Sequence, residues 1–376
     1  MSKAKTKKED MRKSRVVLTG GHAATTALST IEALWSLNPD LRICWIGSKY
    51  ALEGDRAVSL EFKTLPSVGV RCYAIISGRL QRRWTRYTLL SLAKVPLGFV
   101  HALLLIFLVR PGIVVSFGGF AAFPVVVCAW ALRIPVIIHE QTAAAGLANR
   151  LSVPFSRKIA IARESSREFF PKEKTILVGN PVRREFFAIK PKASVDGRPV
   201  IFATGGSRGA KNLNQAIFDL VPALVEEYFL IHLCGEFDFH RAKRIRNSLP
   251  VRLRKRYEVY STISPFEMPG YFSKADVVIG RSGANTVAEV IASRRRAIFV
   301  PIPWAQSDEQ TINAQLATKE GLAKIITQAE LTSGVLLSLI KEILAEEKKF
   351  NKKSAIRDLD MHAAVNLAKI ITELAK

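Results

Sequence analysis

Glu289 is the residue in this chain whose surroundings point most directly to chemistry. It lies in residues 284–293, a stretch of helix-forming composition that follows the apolar run Val277, Val278, Ile279 and the small-residue turn at 280–283. A second apolar run, 297–302, comes next, and then a polar loop carrying Asp308, Glu309, Gln310 and Asn313. The order reads as strand, turn, helix, strand, loop: one βαβ unit. Small residues at such a turn let a ligand approach the backbone, and the amides of the first helical turn suit a diphosphate. A carboxylate about one and a half turns further on is placed to accept both hydroxyls of an attached ribose. The polar loop falls at the carboxyl edge of a parallel sheet, where ligands of this architecture bind. The same pattern also describes an ordinary βαβ crossover with a charged loop.

A second group of candidates sits near the start. Residues 15–18 read as a strand, Thr19-Gly20-Gly21-His22 as a turn, and 23–37 as a helix stopped by Asn38-Pro39. His22 therefore follows two glycines at a strand-to-helix turn, and imidazole is the side chain most easily tuned to act as a general base near neutrality. No G-x-G-x-x-G follows this strand, which disfavours a dinucleotide oxidoreductase. His139 and Glu140 end another strand, 135–139, in the run HEQTAAAGLANR, and are rival bases.

The elements that must position these groups repeat. Further strands are expected at 41–46, 113–116, 159–162 and 175–178, with a helix at 124–132. After a polar linker at 190–198 the pattern restarts: strand 199–203, the turn Gly205-Gly206-Ser207-Arg208-Gly209-Ala210, and helix 212–227, followed by strands 230–234 and 257–260. The expected fold class is α/β, two Rossmann-like domains facing across a cleft. The expected bounds are a basic disordered tail at 1–14, a first domain at 15–189 and a second at 198–354. An amphipathic helix near 355–376 packs back on one of them.

Composition narrows the partners. A hydrophobic content of 48% with 23% charged residues is that of a globular chain with real cores, and the net charge of +24 calls for an anionic partner. Between Glu61 and Glu140 there is no acidic residue, while Arg79, Arg82, Arg83, Arg86 and Lys94 precede or enter the apolar run at 88–109. Nucleic-acid binding explains the arginines but not the Leu, Ile and Phe behind them; peripheral contact with an anionic membrane explains both. A buried helix and a spanning helix are the alternatives, the latter interrupted by Lys94, Pro96, Gly98 and His101. Cys44, Cys72, Cys128 and Cys234 have no metal spacing and read as reduced thiols of a cytoplasmic protein. The basic N-terminus runs into a strand rather than an apolar export signal. Asp358-Leu359-Asp360 has the letters of a metal motif but reads as a solvated helix face.

Seven segments in order carry a family resemblance: TGGH at 19–22, SFGGF at 116–120, IPVIIHEQ at 134–141, GNPVR at 179–183, GGSRGAKNLN at 205–214, RSGANTVAE at 281–289 and DEQTINA at 308–314. Together they resemble the MurG family of bacterial glycosyltransferases, which add N-acetylglucosamine to undecaprenyl-diphosphoryl muramoyl-pentapeptide in peptidoglycan synthesis. The resemblance implies a B-type glycosyltransferase fold, an inverting reaction with no metal or other cofactor, and peripheral attachment to the cytoplasmic face of the membrane. It implies that the second domain holds UDP-N-acetylglucosamine through Ser207, Ala284, Asn285, Thr286, Val287, Ala288, Glu289 and Gln310, with Ile263 near the uracil. Thr19, Gly20 and Gly21 would line the facing wall, Thr142 would belong with the residues that bind UDP-N-acetylglucosamine, Arg183 would lie at the domain junction, and His22 would be the candidate base. The first domain would meet the prenyl-diphosphoryl acceptor, and no nucleic acid is expected. A B-type enzyme acting on another membrane glycolipid is the alternative. The chain departs from the family pattern at Val17-Leu18 where two glycines are usual, at Phe120 where Tyr is usual, at Thr142 where Asn is common, and at Glu309.

Overall fold

The computed structural model describes residues 14–50, 57–76, 88–190, 197–206, 209–305, 308–346 and 354–375, with side chains from 94 onward in the third of these segments. The basic tail up to residue 13, the arginine-rich stretch at 77–87, the linker at 191–196 and Ser207 fall outside them. The chain divides into two compact units, one formed by residues 1–183 with 359–376 and the other by residues 184–358.

The first unit is a seven-stranded parallel sheet: β1 (Arg15–Gly20), β2 (Arg42–Gly47), β3 (Arg71–Ala74), β4 (Ile113–Ser116), β5 (Val136–Glu140), β6 (Lys158–Ile161) and β7 (Thr175–Leu177), in the order β3-β2-β1-β4-β5-β6-β7. Its central strands are apolar on both faces because helices cover both; Val16, Val17 and Leu18 are all buried. Helices α1 (Ala24–Leu37), α2 (Thr88–Val109), α3 (Ala122–Ala131) and α4 (Leu147–Ser152) follow β1, β3, β4 and β5. The order of strands reverses between β1 and β4, so the loops leaving these two strands diverge and open a crevice at their carboxyl ends.

The second unit is a six-stranded parallel sheet: β8 (Val200–Thr204), β9 (Phe229–Leu233), β10 (Tyr257–Tyr260), β11 (Val277–Gly280), β12 (Arg296–Phe299) and β13 (Ala323–Ile325), in the order β10-β9-β8-β11-β12-β13. Its reversal lies between β8 and β11, which are followed by α5 (Lys211–Glu227) and α6 (Ala284–Ser293). Next come α7 (Glu309–Lys319) and α8 (Ser333–Ala345), and the core gathers Leu213, Ile217 and Val221 of α5 with Ile279, Ile298 and Leu336. The last helix, α9 (Ala355–Leu374), crosses back: Leu367, Ala368 and Ile371 join the first unit's core with Leu18, Ile31 and Val115.

Three elements differ from the sequence reading. Strands β3 and β13 are edge strands of four and three residues with half-exposed side chains, so neither presents the apolar run that marks a central strand. Residues 309–313 open a helix rather than forming a loop. The buried positions of α7 are Asn313, Ala314 and Ala317, and so small a buried face leaves no apolar periodicity to read.

Candidate active site

At the first unit's reversal point the chain turns through Gly21 and His22. His22 is exposed and takes φ 62, the left-handed region that costs a non-glycine residue about 1 kcal/mol and persists only where neighbours enforce it. The neighbours do so from both sides. The Gly21 amide donates to the Gly118 carbonyl at 3.0 Å, and the Ala23 amide donates to Glu61 Oε1 at 2.9 Å. Gly119, with φ 93, lies so close that a Cβ there would come within 3.1 Å of the Gly21 nitrogen. Two glycine turns, 20–21 and 118–119, thus form one tight corner beneath His22. Thr19 is fully buried below it.

The next strand end braces this corner. Glu140 is buried, and its carboxylate accepts four hydrogen bonds: Oε1 from the Thr142 amide (3.0 Å) and hydroxyl (2.7 Å), Oε2 from the Gly146 amide and Asn149 Nδ2 (both 2.9 Å). Gln141 accepts from Thr26 Oγ1 at 2.9 Å. His139 is fully buried, 3.1 Å through Nε2 from the Gly179 carbonyl and edge-on to Phe117. Burial pushes its pKa down to about 4, so it is neutral and shut away from any substrate proton. Arg183, which ends the first of this unit's two chain segments, is also buried, with Nε 3.5 Å from Glu32.

The second unit builds a different surface at its own reversal point. After β8, the Gly206 amide donates to Thr204 Oγ1 at 3.0 Å. A side chain at Gly205 or Gly209 would come within 2.4 Å of main-chain atoms, so both positions require glycine. After β11, Ser282 and Gly283 lead into α6, whose internal ladder begins with the Val287 amide donating to the Gly283 carbonyl. The amides of Ala284, Asn285 and Thr286 are therefore the helix's opening donors, and these three residues are half-exposed. Val287 and Ala288 are buried core side chains, and Glu289 is buried on the same helix. Gln310 Oε1 accepts from the Ile302 amide at 3.1 Å, and Ile263 is buried three residues beyond β10.

Several residues organise these turns, a role the sequence reading did not give them. The Arg281 guanidinium donates to the Val300 (2.9 Å) and Pro301 carbonyls and to Gln328 Oε1 (2.7 Å), tying together the loops after β11, β12 and β13. Asn313 Nδ2 reaches the Ser282 carbonyl at 3.4 Å. Glu61 and Glu140 are the two acids that bound the acid-free stretch, and both brace the His22 corner. Their isolation in sequence was the available signal.

Asp360 is not on a solvated face. It is buried and receives both Nη1 and Nη2 of buried Arg163, at 2.6 and 2.7 Å, together with the Asn180 amide at 2.7 Å. The pair fastens α9 to the loops after β6 and β7. Among the described residues no group of three His, Cys, Asp or Glu gathers as a metal site. On α2, Leu97, Val100, Leu104, Phe107 and Leu108 are each 54–65% exposed and recur at helical spacing along one side. Among the described residues no helix is long and apolar enough to cross a membrane.

Residues 17–161 match the glycosyltransferase family 28 N-terminal domain and residues 200–370 its C-terminal domain. The chain is 31% identical to the UDP-N-acetylglucosamine--N-acetylmuramyl-(pentapeptide) pyrophosphoryl-undecaprenol N-acetylglucosamine transferase of Shouchella clausii, covering 96% of this chain and 98% of that protein. It is 32% identical to the enzyme of the same name from Lachnoclostridium phytofermentans, covering 89% and 92%. The crystal structure of Acinetobacter baumannii MurG superposes with a TM-score of 0.66 at 25% identity, over 96% of this chain and 99% of that one. With two parallel α/β sheets of matching kind and relatives above 30% identity along nearly its whole length, the chain belongs to the MurG family of family 28 glycosyltransferases.

Proposed function

We propose that this protein transfers N-acetylglucosamine from UDP-N-acetylglucosamine to the muramoyl residue of undecaprenyl-diphosphoryl-MurNAc-pentapeptide, the lipid-linked step of peptidoglycan synthesis. The observation that carries the reading is the match over nearly the full length of relatives bearing that activity in their names. The reaction is a direct displacement: an acceptor sugar hydroxyl attacks the anomeric carbon, the bond to the UDP oxygen breaks, and the configuration inverts. Positive charge grows on the donor ring and negative charge on the departing diphosphate. The opening amides of α6 and the glycine turn around Ser207 are suited to receive that diphosphate, and Glu289 to hold the ribose. Gln310 is assigned to the donor sugar and Ile263 to the uracil side.

His22 is assigned as the base that takes the acceptor's proton. It is exposed at the tip of a turn held rigid by Gly118 and Glu61. Glu140 has four donors already on its carboxylate, and His139 is sealed in the core. The protein acts peripherally on the cytoplasmic membrane face, where the exposed apolar side of α2 and the neighbouring arginines meet anionic lipid.

The test supplies radiolabelled UDP-N-acetylglucosamine and a prenyl-diphosphoryl-muramoyl-pentapeptide and looks for the disaccharide lipid. His22→Ala is expected to lower turnover by about 10²–10⁴-fold, the range for a lost general base, while UDP affinity is retained. Product formed only on a diacylglycerol acceptor would redirect the reading to another membrane glycolipid. Near-parental turnover by the variant would remove His22 from the base role.

A further inference from the structure

We propose that Glu140 is a positioning residue: its buried carboxylate holds the segment 141–149 so that Asn149, in α4, supports the glycine corner carrying His22. The inference rests on the acceptor role proposed for that corner.

A chain of contacts leads from the carboxylate to the turn. Glu140 Oε2 accepts from Asn149 Nδ2 at 2.9 Å. The same amide group lies directly against Gly118: both Asn149 Nδ2 and Oδ1 would be only 3.0 Å from a Cβ at that position. Gly118, at φ 82, turns its carbonyl to accept the Gly21 amide at 3.0 Å, and Gly21 precedes His22. A second line runs through the next residue, Gln141, which meets Thr26 in the first turn of α1 at 2.9 Å and donates to the Phe117 carbonyl at 3.4 Å. The first line ends on the glycine corner itself, and the second on its neighbours, Phe117 before Gly118 and α1 after His22.

The carboxylate is suited to this and poorly suited to proton transfer. An ionised carboxyl has about four acceptor sites, and here it meets two main-chain amides, the Asn149 side-chain amide and the Thr142 hydroxyl, whose one proton is shared with the Ala144 carbonyl. Reaching a substrate proton would mean breaking several charge-assisted bonds in a buried place. Thr142 also finds its reason here: its hydroxyl donates to Glu140 Oε1 at 2.7 Å, an anchoring that its side chain supplies although Asn is common at this position in the family.

The two roles separate in a graded series. Glu140→Gln keeps an oxygen for the Thr142 donors but puts an NH2 where Gly146 and Asn149 donate; Glu140→Ala loses all four bonds. Asn149→Ala removes the support while leaving the carboxylate. Full-length variants are assayed with both substrates across pH, with UDP affinity measured by calorimetry and the melting temperature recorded. As a positioning residue, Glu140→Gln is expected to lower kcat/KM for the lipid acceptor about tenfold and Glu140→Ala further. Asn149→Ala should resemble Glu140→Gln, with UDP affinity unchanged and the pH limb of the parent retained. If the two Glu140 variants are equally inactive and that limb disappears, Glu140 is the base and the proposal falls. If the variants lose melting temperature with kinetics intact, Glu140 only stabilises the fold and the proposal also falls. A parent inactive on the lipid acceptor would instead sink the acceptor reading itself.

Discussion

At the scale of single residues, the two units use polar groups in opposite ways. In the second unit the opening amides of α6 lie at a half-exposed turn, the place proposed above for the donor diphosphate. In the first, Glu61 and Glu140 are engaged by the segments they brace, while His22 is exposed. Glu289 is the most direct test of the donor side. Two charge-assisted bonds to ribose hydroxyls are each worth roughly 1.5–3 kcal/mol. Glu289→Ala is therefore expected to weaken UDP binding by at least about 100-fold in calorimetry, with little change in melting temperature. Unchanged affinity would reduce Glu289 to a helix carboxylate packed against its own unit.

At the scale of elements, α9 decides how the chain is finished. It follows the second unit in sequence yet packs on the first, through apolar contacts and the Arg163–Asp360 pair. Removing one member of a buried pair leaves the other charge without compensation and costs about 3–5 kcal/mol. Asp360→Ala is expected to destabilise the first unit by that amount in urea unfolding, while UDP binding by the second unit stays intact. Loss confined to the second unit's transition would contradict the placement of α9. Asp360 and Arg163 are 197 residues apart, so no local pattern announced the contact.

At the scale of the whole molecule, the net charge of +24 and the exposed apolar side of α2 suit the same partner, an anionic lipid surface. Leu104 and Leu108 stand one turn apart on that side. Burying a leucine in an apolar phase is worth about 1.5–3 kcal/mol, so replacing both with Asp is expected to weaken partitioning onto phosphatidylglycerol vesicles at least tenfold. Flotation on sucrose gradients measures this. Equal flotation of parent and Leu104→Asp/Leu108→Asp protein would shift the contact to the basic stretch at 77–87.

Sequence alone determined the parts governed by local rules. Apolar runs of four to six residues marked the central strands, since strands covered on both faces need no polar alternation. Glycine clusters after β1, β4, β8 and β11 marked the turns, and the order of seven short segments marked the family. Tertiary structure decided what depends on distant partners. Edge strands β3 and β13 exist because β2 and β12 offer them a ladder, and α7 because small residues suffice where it is buried. In sequence Glu140 reads as a rival base and Asp360 as part of a solvated helix face. Arg163 reaches Asp360 only in the folded unit, whereas the donors to Glu140 lie within nine residues of it and what the fold adds there is burial.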